Sequence, residues 1–199
     1  DINRYLQHGT LNKKAANFSD TDMELSLTSV VLATSLERSG IDFVVYDDED
    51  IIDKYKNKLE KEIESGIKFV CISTTFFWDM KHLKKVIRFF HQRDKEIRII
   101  LGGQGLSVWG DNAYDDLNDV FCFCYGDIDY FGNYIGDLLN AKIPEEFELK
   151  ISKTGKAFYV LTKFIPDLDS LLLPDWGLLN RHDFNDNYYA THPLPERVS

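Results

Sequence analysis

The sequence predicts an α/β fold: a doubly wound parallel sheet, followed by a β-hairpin and an extended linker. Three observations predict it. From Thr21 to Asn140, segments with apolar residues at helical spacing alternate with short runs rich in β-branched and aromatic residues. Several of those runs are nearly continuous in apolar residues, the pattern of strands covered on both faces. The runs end in Asp, Ser, Thr or Gly, which suit turns. Helix–strand alternation implies parallel neighbours, because a parallel pair needs a crossover connection.

The elements follow in order. Residues 1–20 are polar and read as a loop. Thr21-Asp22-Met23-Glu24 fits a capping box, in which Thr21 caps the helix and Glu24 reaches back. The helix it opens carries Leu27, Val30, Val31 and Thr34 at helical spacing, and Gly40 supplies a left-handed stop. Residues 41–46 read as a strand, and the acidic run at 47–50 favours the start of a second helix through its dipole. That helix shows Ile52, Tyr55, Leu59 and Ile63 on one face and stops at Gly66. Residues 68–73 read as a strand buried on both faces. A third helix over about 79–93 places Leu83, Val86, Ile87 and Phe90 in register. Strands over 97–101 and 120–125 follow, with a polar loop between them. A fourth helix carries Phe131, Tyr134, Ile135 and Leu138. A doubly wound domain ordinarily opens with a strand, so a leading strand is expected to be missing or to lie before Asp1.

After Pro144 the period changes. Phe147, Leu149 and Ile151, then Phe158, Val160 and Thr162, alternate around the turn Lys153-Thr154-Gly155, which predicts a hairpin. From Ile165 the chain is Pro-rich and aperiodic and reads as a linker. The division expected is an α/β domain over 1–142 and a hairpin with linker over 143–199.

Composition narrows the function. The 199 residues are 44% hydrophobic and carry a net charge of -10. That balance opposes a general nucleic-acid role, which needs a basic footprint. Apolar runs are too short to span a membrane as a helix. The N-terminus lacks the apolar core of a signal peptide. Three cysteines, Cys71, Cys122 and Cys124, suit a reducing cytoplasm and read as buried thiols on strands. The five histidines lack ligand spacing. Ser152-Lys153-Thr154-Gly155-Lys156 lacks the spacing of a phosphate loop and sits in a hairpin turn.

In an open parallel sheet, ligands bind outside the carboxyl ends of the strands. Three loops fall there. Ser73-Thr74-Thr75 offers small hydroxyl side chains, or simply caps a helix. Gly102-Gly103-Gln104-Gly105 admits close approach, or makes a tight turn. Tyr125-Gly126-Asp127 puts an acid where it could also cap the next helix.

Taken together, these motifs have a family likeness. The run Phe69-Val70-Cys71-Ile72-Ser73-Thr74, the run Ile99-Ile100-Leu101-Gly102-Gly103 and Tyr125-Gly126-Asp127 resemble the B12-binding domain of radical S-adenosylmethionine (SAM) proteins. Residues 29–40 with the following strand fit the same pattern. So do Asp167-Leu168-Asp169, Leu173-Pro174-Asp175-Trp176 and the approach at 193–199. The sequence departs from the family in having Asp127 for the more usual Glu and no Cys-x3-Cys-x2-Cys. It also lacks the Asp-x-His-x-x-Gly of cobalt-ligating relatives; His8 is the histidine nearest that place.

The resemblance implies a Rossmann-like, flavodoxin-like module that binds cobalamin. Ser73, Thr74 and Thr75 would contact the nucleotide tail. Gly102, Gly103 and Gly105 would make room, and Gly126 and Asp127 would close the pocket. It implies a radical SAM domain after Ser199, holding a [4Fe–4S] cluster and S-adenosylmethionine, with methyl transfer or related radical chemistry in the intact protein. This chain alone would not be catalytic. Two other classes compete: a receiver-type signalling domain and the nucleotide-binding half of a transferase. The receiver needs a phospho-accepting Asp where Ser73-Thr74-Thr75 stands, and the transferase needs an N-terminal glycine loop.

Overall fold

The structure is a computed structural model that describes residues 27–46, 51–75, 79–126, 131–162, 173–175 and 177–178. Its helices are α1 (Leu27–Arg38), α2 (Ile51–Glu64), α3 (Met80–His91), α4 (Gln104–Trp109), α5 (Asn112–Asp116) and α6 (Phe131–Leu139). Its strands are β1 (Phe69–Ser73), β2 (Arg98–Gly102), β3 (Cys122–Cys124), β4 (Phe147–Ile151) and β5 (Ala157–Leu161). The five strands form one sheet in the order β1-β2-β3-β5-β4. Only β4 runs antiparallel to its neighbour.

Side-chain alternation builds two apolar layers, one on each face. Val70, Ile72, Ile99, Leu101, Phe123, Phe158 and Val160 face Leu59 of α2, the apolar side of α3, and α4 and α5. Phe69, Cys71, Ile100, Cys122, Cys124, Tyr159 and Leu161 face Leu36 of α1 and Tyr134, Ile135 and Leu138 of α6. Helix α3 shows the local logic most plainly. Asp79 caps it by accepting from the Lys81 N–H at 2.8 Å, and Leu83, Val86, Ile87 and Phe90 bury one stripe, as their spacing predicts. Gly40 and Gly66 adopt φ of 67° and 91°, the left-handed stops expected after α1 and α2.

The structure corrects the sequence reading in three places. Residues 41–46 are not a strand of the sheet. Ile41 and Phe43 are half-buried and pack toward α1, Val44 is exposed, and the Tyr46 ring meets Tyr55 at 5.2 Å. Strand β1, expected to be covered on both faces, is half-buried along its whole length, because it ends the sheet. The polar loop after Gly103 folds into α4 and α5, which are too short for a periodic signal and bury only Leu106 and Ala113.

The hairpin forms as expected, with Gly155 at φ of 83°, but it extends the main sheet. Strand β5 is apolar on both sides: Phe158 and Val160 enter one layer, Tyr159 and Leu161 the other. It therefore docks parallel to β3 and leaves β4 as the edge. The sheet thus crosses the division expected between residues 142 and 143. Of the expected linker, residues 173–175 and 177–178 are described. Asp175 donates its N–H to Thr34 Oγ1 at 2.8 Å and Leu178 is fully buried against Val30 and Ala33, which ties this segment to α1.

Candidate ligand site at the carboxyl ends of the strands

Parallel pairing brings the three sequence-predicted loops side by side. Ser73 is level with Gly102, and Gly102 with Cys124, so the loops leave the sheet at one height. Their detailed contacts divide residues for which sequence reasoning expected a common role.

Thr74 is fully buried. Its N–H donates to Gly102 O at 2.6 Å and its hydroxyl to the same oxygen at 2.8 Å. The hydroxyl also accepts from the Leu106 N–H at 3.3 Å. Both bonding capacities of the hydroxyl are used within the protein, so Thr74 is a tie between the first two loops. Ser73 and Thr75 are only half-buried. Ser73 Oγ donates to Thr75 Oγ1 at 3.3 Å, and the Gln104 N–H lies 3.5 Å from that same oxygen. These two hydroxyls are the ones at the surface of the loop.

The glycines are explained by the same contact. A Cβ on Gly103 would stand 2.7 Å from Thr75 Oγ1 and 2.9 Å from the Thr75 nitrogen, and its φ is 99°. One on Gly105 would stand 2.6 Å from Thr74 O. Both positions need glycine so that the loops can touch. Gly102 ends β2 and supplies the carbonyl that Thr74 uses.

One residue beyond Cys124 stands Tyr125, which the sequence reading left without a role. Its hydroxyl is buried and finds no hydrogen-bond partner among the described residues. Burial, and then the neighbouring Tyr114 hydroxyl, push its ionisation well above the ordinary tyrosine range. The Tyr114 ring lies beside it, with ring centroids 6.2 Å apart. A buried hydroxyl with no hydrogen-bond partner among the described residues is uncommon, and it keeps the capacity to donate or accept one bond. The signal available in the sequence was a tyrosine closing an otherwise apolar strand. Gly126 follows half-buried, and Asp127 lies outside the described residues.

The other candidates resolve as structure. Cys122 and Cys124 are buried on one face with sulfurs 3.9 Å apart, and Cys71 shares that layer. Burial pushes the Cys71 thiol up to about 12, and Cys124 is raised by its bond to Cys122 and by burial. Such thiols are poor nucleophiles and poor metal ligands. His91 bonds Ile97 O at 2.9 Å, while His8, His182 and His192 lie outside the described residues. Among the described residues, no group of three or more His, Cys, Asp or Glu could hold a metal ion, and no helix is long and apolar enough to cross a membrane.

No family model matches the chain, and no curated protein or solved structure matches it.

Proposed function

We propose that this chain is a Rossmann-like, flavodoxin-like cobalamin-binding module of a B12-dependent radical SAM protein. The observation that supports it most is the convergence of Ser73, Thr75, Gly103 and Tyr125 at the carboxyl ends of three adjacent parallel strands. That is where an open α/β sheet takes its ligands. The order of motifs in the sequence supplies the rest of the case.

The residues fit the polar tail of such a cofactor in part. The half-buried hydroxyls of Ser73 and Thr75 and the unpartnered hydroxyl of Tyr125 can bond a neutral polar chain. Thr74 and Gly105 do not fit as direct contacts, because each is committed to the other loop. In this reading they and Gly103 hold the loops at the right separation, and Ser73, Thr75 and Tyr125 hold the tail. The family likeness would have Gly126 and Asp127 close it. Bound cobalamin supplies a cobalt that carries a methyl or related group. The protein's part is to bind and orient it, and to exclude water from the buried side. The [4Fe–4S] cluster and S-adenosylmethionine belong to a further domain of the intact protein.

Titration with hydroxocobalamin, followed by the visible spectrum and by calorimetry, tests this. Saturable binding is expected, with Tyr125→Phe weakening it by a few-fold to about tenfold, the worth of one buried hydrogen bond. A folded chain that shows no saturable uptake would sink the proposal.

A further inference from the structure

Strand β4 closes the sheet on the hairpin side, and among the described residues β5 is the one strand beside it. On the face shared with α1 and α6, β4 carries Phe147, Leu149 and Ile151. Phe147 is buried, but Leu149 and Ile151 are 58% and 70% exposed. On the other face stand Glu148 and Lys150, whose side chains pair at 3.5 Å.

The backbone sets the register in which this edge can be met. Ser152 donates its N–H to Lys156 O at 2.8 Å, so these residues are a hydrogen-bonded pair next to the turn. Bonded and non-bonded pairs alternate along an antiparallel ladder. Lys150 and Glu148 therefore bond to Phe158 and Val160 opposite them, and Phe147, Leu149 and Ile151 turn their N–H and C=O groups away from β5. The Phe147 N–H follows this pattern: it goes to Pro144 O at 3.1 Å.

An edge row of one charge repels its own image, and edges are commonly kept apart in this way. Strand β4 alternates the signs instead. A second copy laid antiparallel on β4, about a two-fold axis at Leu149, sets Glu148 opposite Lys150 of the partner subunit, and Lys150 opposite Glu148 of the partner subunit. Leu149 then meets its own counterpart, and Ile151 meets Phe147 of the partner subunit. The same register joins the outward backbone groups: the two Leu149 residues exchange bonds, and the Ile151 N–H reaches the Phe147 carbonyl across the axis. Axes at residue 148 or 150 would set Glu against Glu or Lys against Lys, and like charges directly opposite are destabilising.

We propose that β4 is a self-complementary edge, to which a second copy of this chain adds its own β4 antiparallel, joining two five-stranded sheets into one. The interface is isologous, so one strand supplies both halves. The Ser73, Gly103 and Tyr125 loops leave strands on the far side of β5, so the inference does not depend on which ligand they bind.

Sedimentation of the whole chain, from micromolar to millimolar concentration, tests it with two surface variants. Glu148→Lys makes the charges of β4 wholly basic, and Lys150→Glu makes them wholly acidic. Each variant alone is expected to dimerise at least about tenfold more weakly than the native chain, because both cross-strand pairs turn repulsive. Mixed in equal amounts, the two are expected to recover the native degree of association, since every facing pair is again opposite in sign. Circular dichroism checks that each variant keeps the native fold. Three results would overturn the proposal: a native chain that stays monomeric throughout, single variants that associate as the native chain does, or a mixture no more associated than its components.

Discussion

Thr74 and Thr154 each stand one or two residues after a serine and near a glycine, one at the end of β1 and one in the turn between β4 and β5. Thr74 is fully buried, and its hydroxyl bonds residues 28 and 32 positions away. Thr154 is exposed; its hydroxyl bonds Ser152 at 2.8 Å and Asn118 at 3.0 Å. Around it Lys153 pairs with Asp115 at 2.7 Å, and Lys156 pairs with Asp119. The same residue types thus serve two ends. At the β1 loop, water is excluded and an unmade bond costs the full desolvation of a buried group. At the hairpin turn, water replaces any lost partner, and exposed ion pairs contribute little.

The comparison can be broken first at the glycines. Gly103→Ala forces a Cβ into Thr75 and a side chain onto positive φ, and is expected to cost about 3 kcal/mol from overpacking and backbone strain together. Thermal unfolding should show it as a fall of roughly 6–12 °C. A loss under about 1 kcal/mol would mean the loops are not in contact in solution. Thr74→Val comes next. It keeps the shape and removes the hydroxyl that ties Gly102 to Leu106, at about 1–3 kcal/mol. Chemical denaturation should place Thr74→Ser between Val and the native residue.

Gly155→Ala probes the turn itself. It meets nothing within 4 Å, so only the backbone at φ of 83° resists it, at about 1 kcal/mol. Equal losses for Gly103→Ala and Gly155→Ala would erase the distinction between the two regions. The smallest effect belongs to Lys153→Ala, which should leave the melting temperature nearly unchanged at moderate salt. The Lys153 side chain, and then its backbone N–H, hold the Asp115 carboxyl below its ordinary range. A depressed carboxylate supports the fold above its unfolded pKa, and that support is lost as pH falls through the folded value. The variant and native protein should therefore converge in acid. The Asp115 titration midpoint, read by NMR, should rise only partway, because the backbone N–H remains.

Much of the fold was legible from the chain because it is encoded over short distances. The stripe Leu83, Val86, Ile87 and Phe90 predicts α3, and Gly40, Gly66 and Gly155 mark where helices stop and the hairpin turns. The candidate loops were legible too, since a turn after an apolar strand falls at a strand end whatever the neighbours are. Residues 41–46 show the limit. Their composition matches a strand, but a strand exists only if another backbone lies beside it, and that is a fact about position in the sheet. The hairpin shows the converse. Phe158 to Leu161 are apolar on both faces, which in retrospect reads as an interior strand, yet nothing local says that β3 is its neighbour.

By itself, the sequence determined the α/β class, the helix faces, the turns and the set of Ser, Thr and Gly residues at the strand ends. Tertiary structure alone decided how that set divides. It made Thr74 a buried tie and left Ser73 and Thr75 at the surface. It required glycine at 103 and 105, and it left the Tyr125 hydroxyl without a partner among the described residues. The physical reason is that periodicity and turn propensity act over a few residues. Burial of a hydroxyl, and the room left for a Cβ, depend on atoms 28 or more residues away that only the parallel ladder brings into contact.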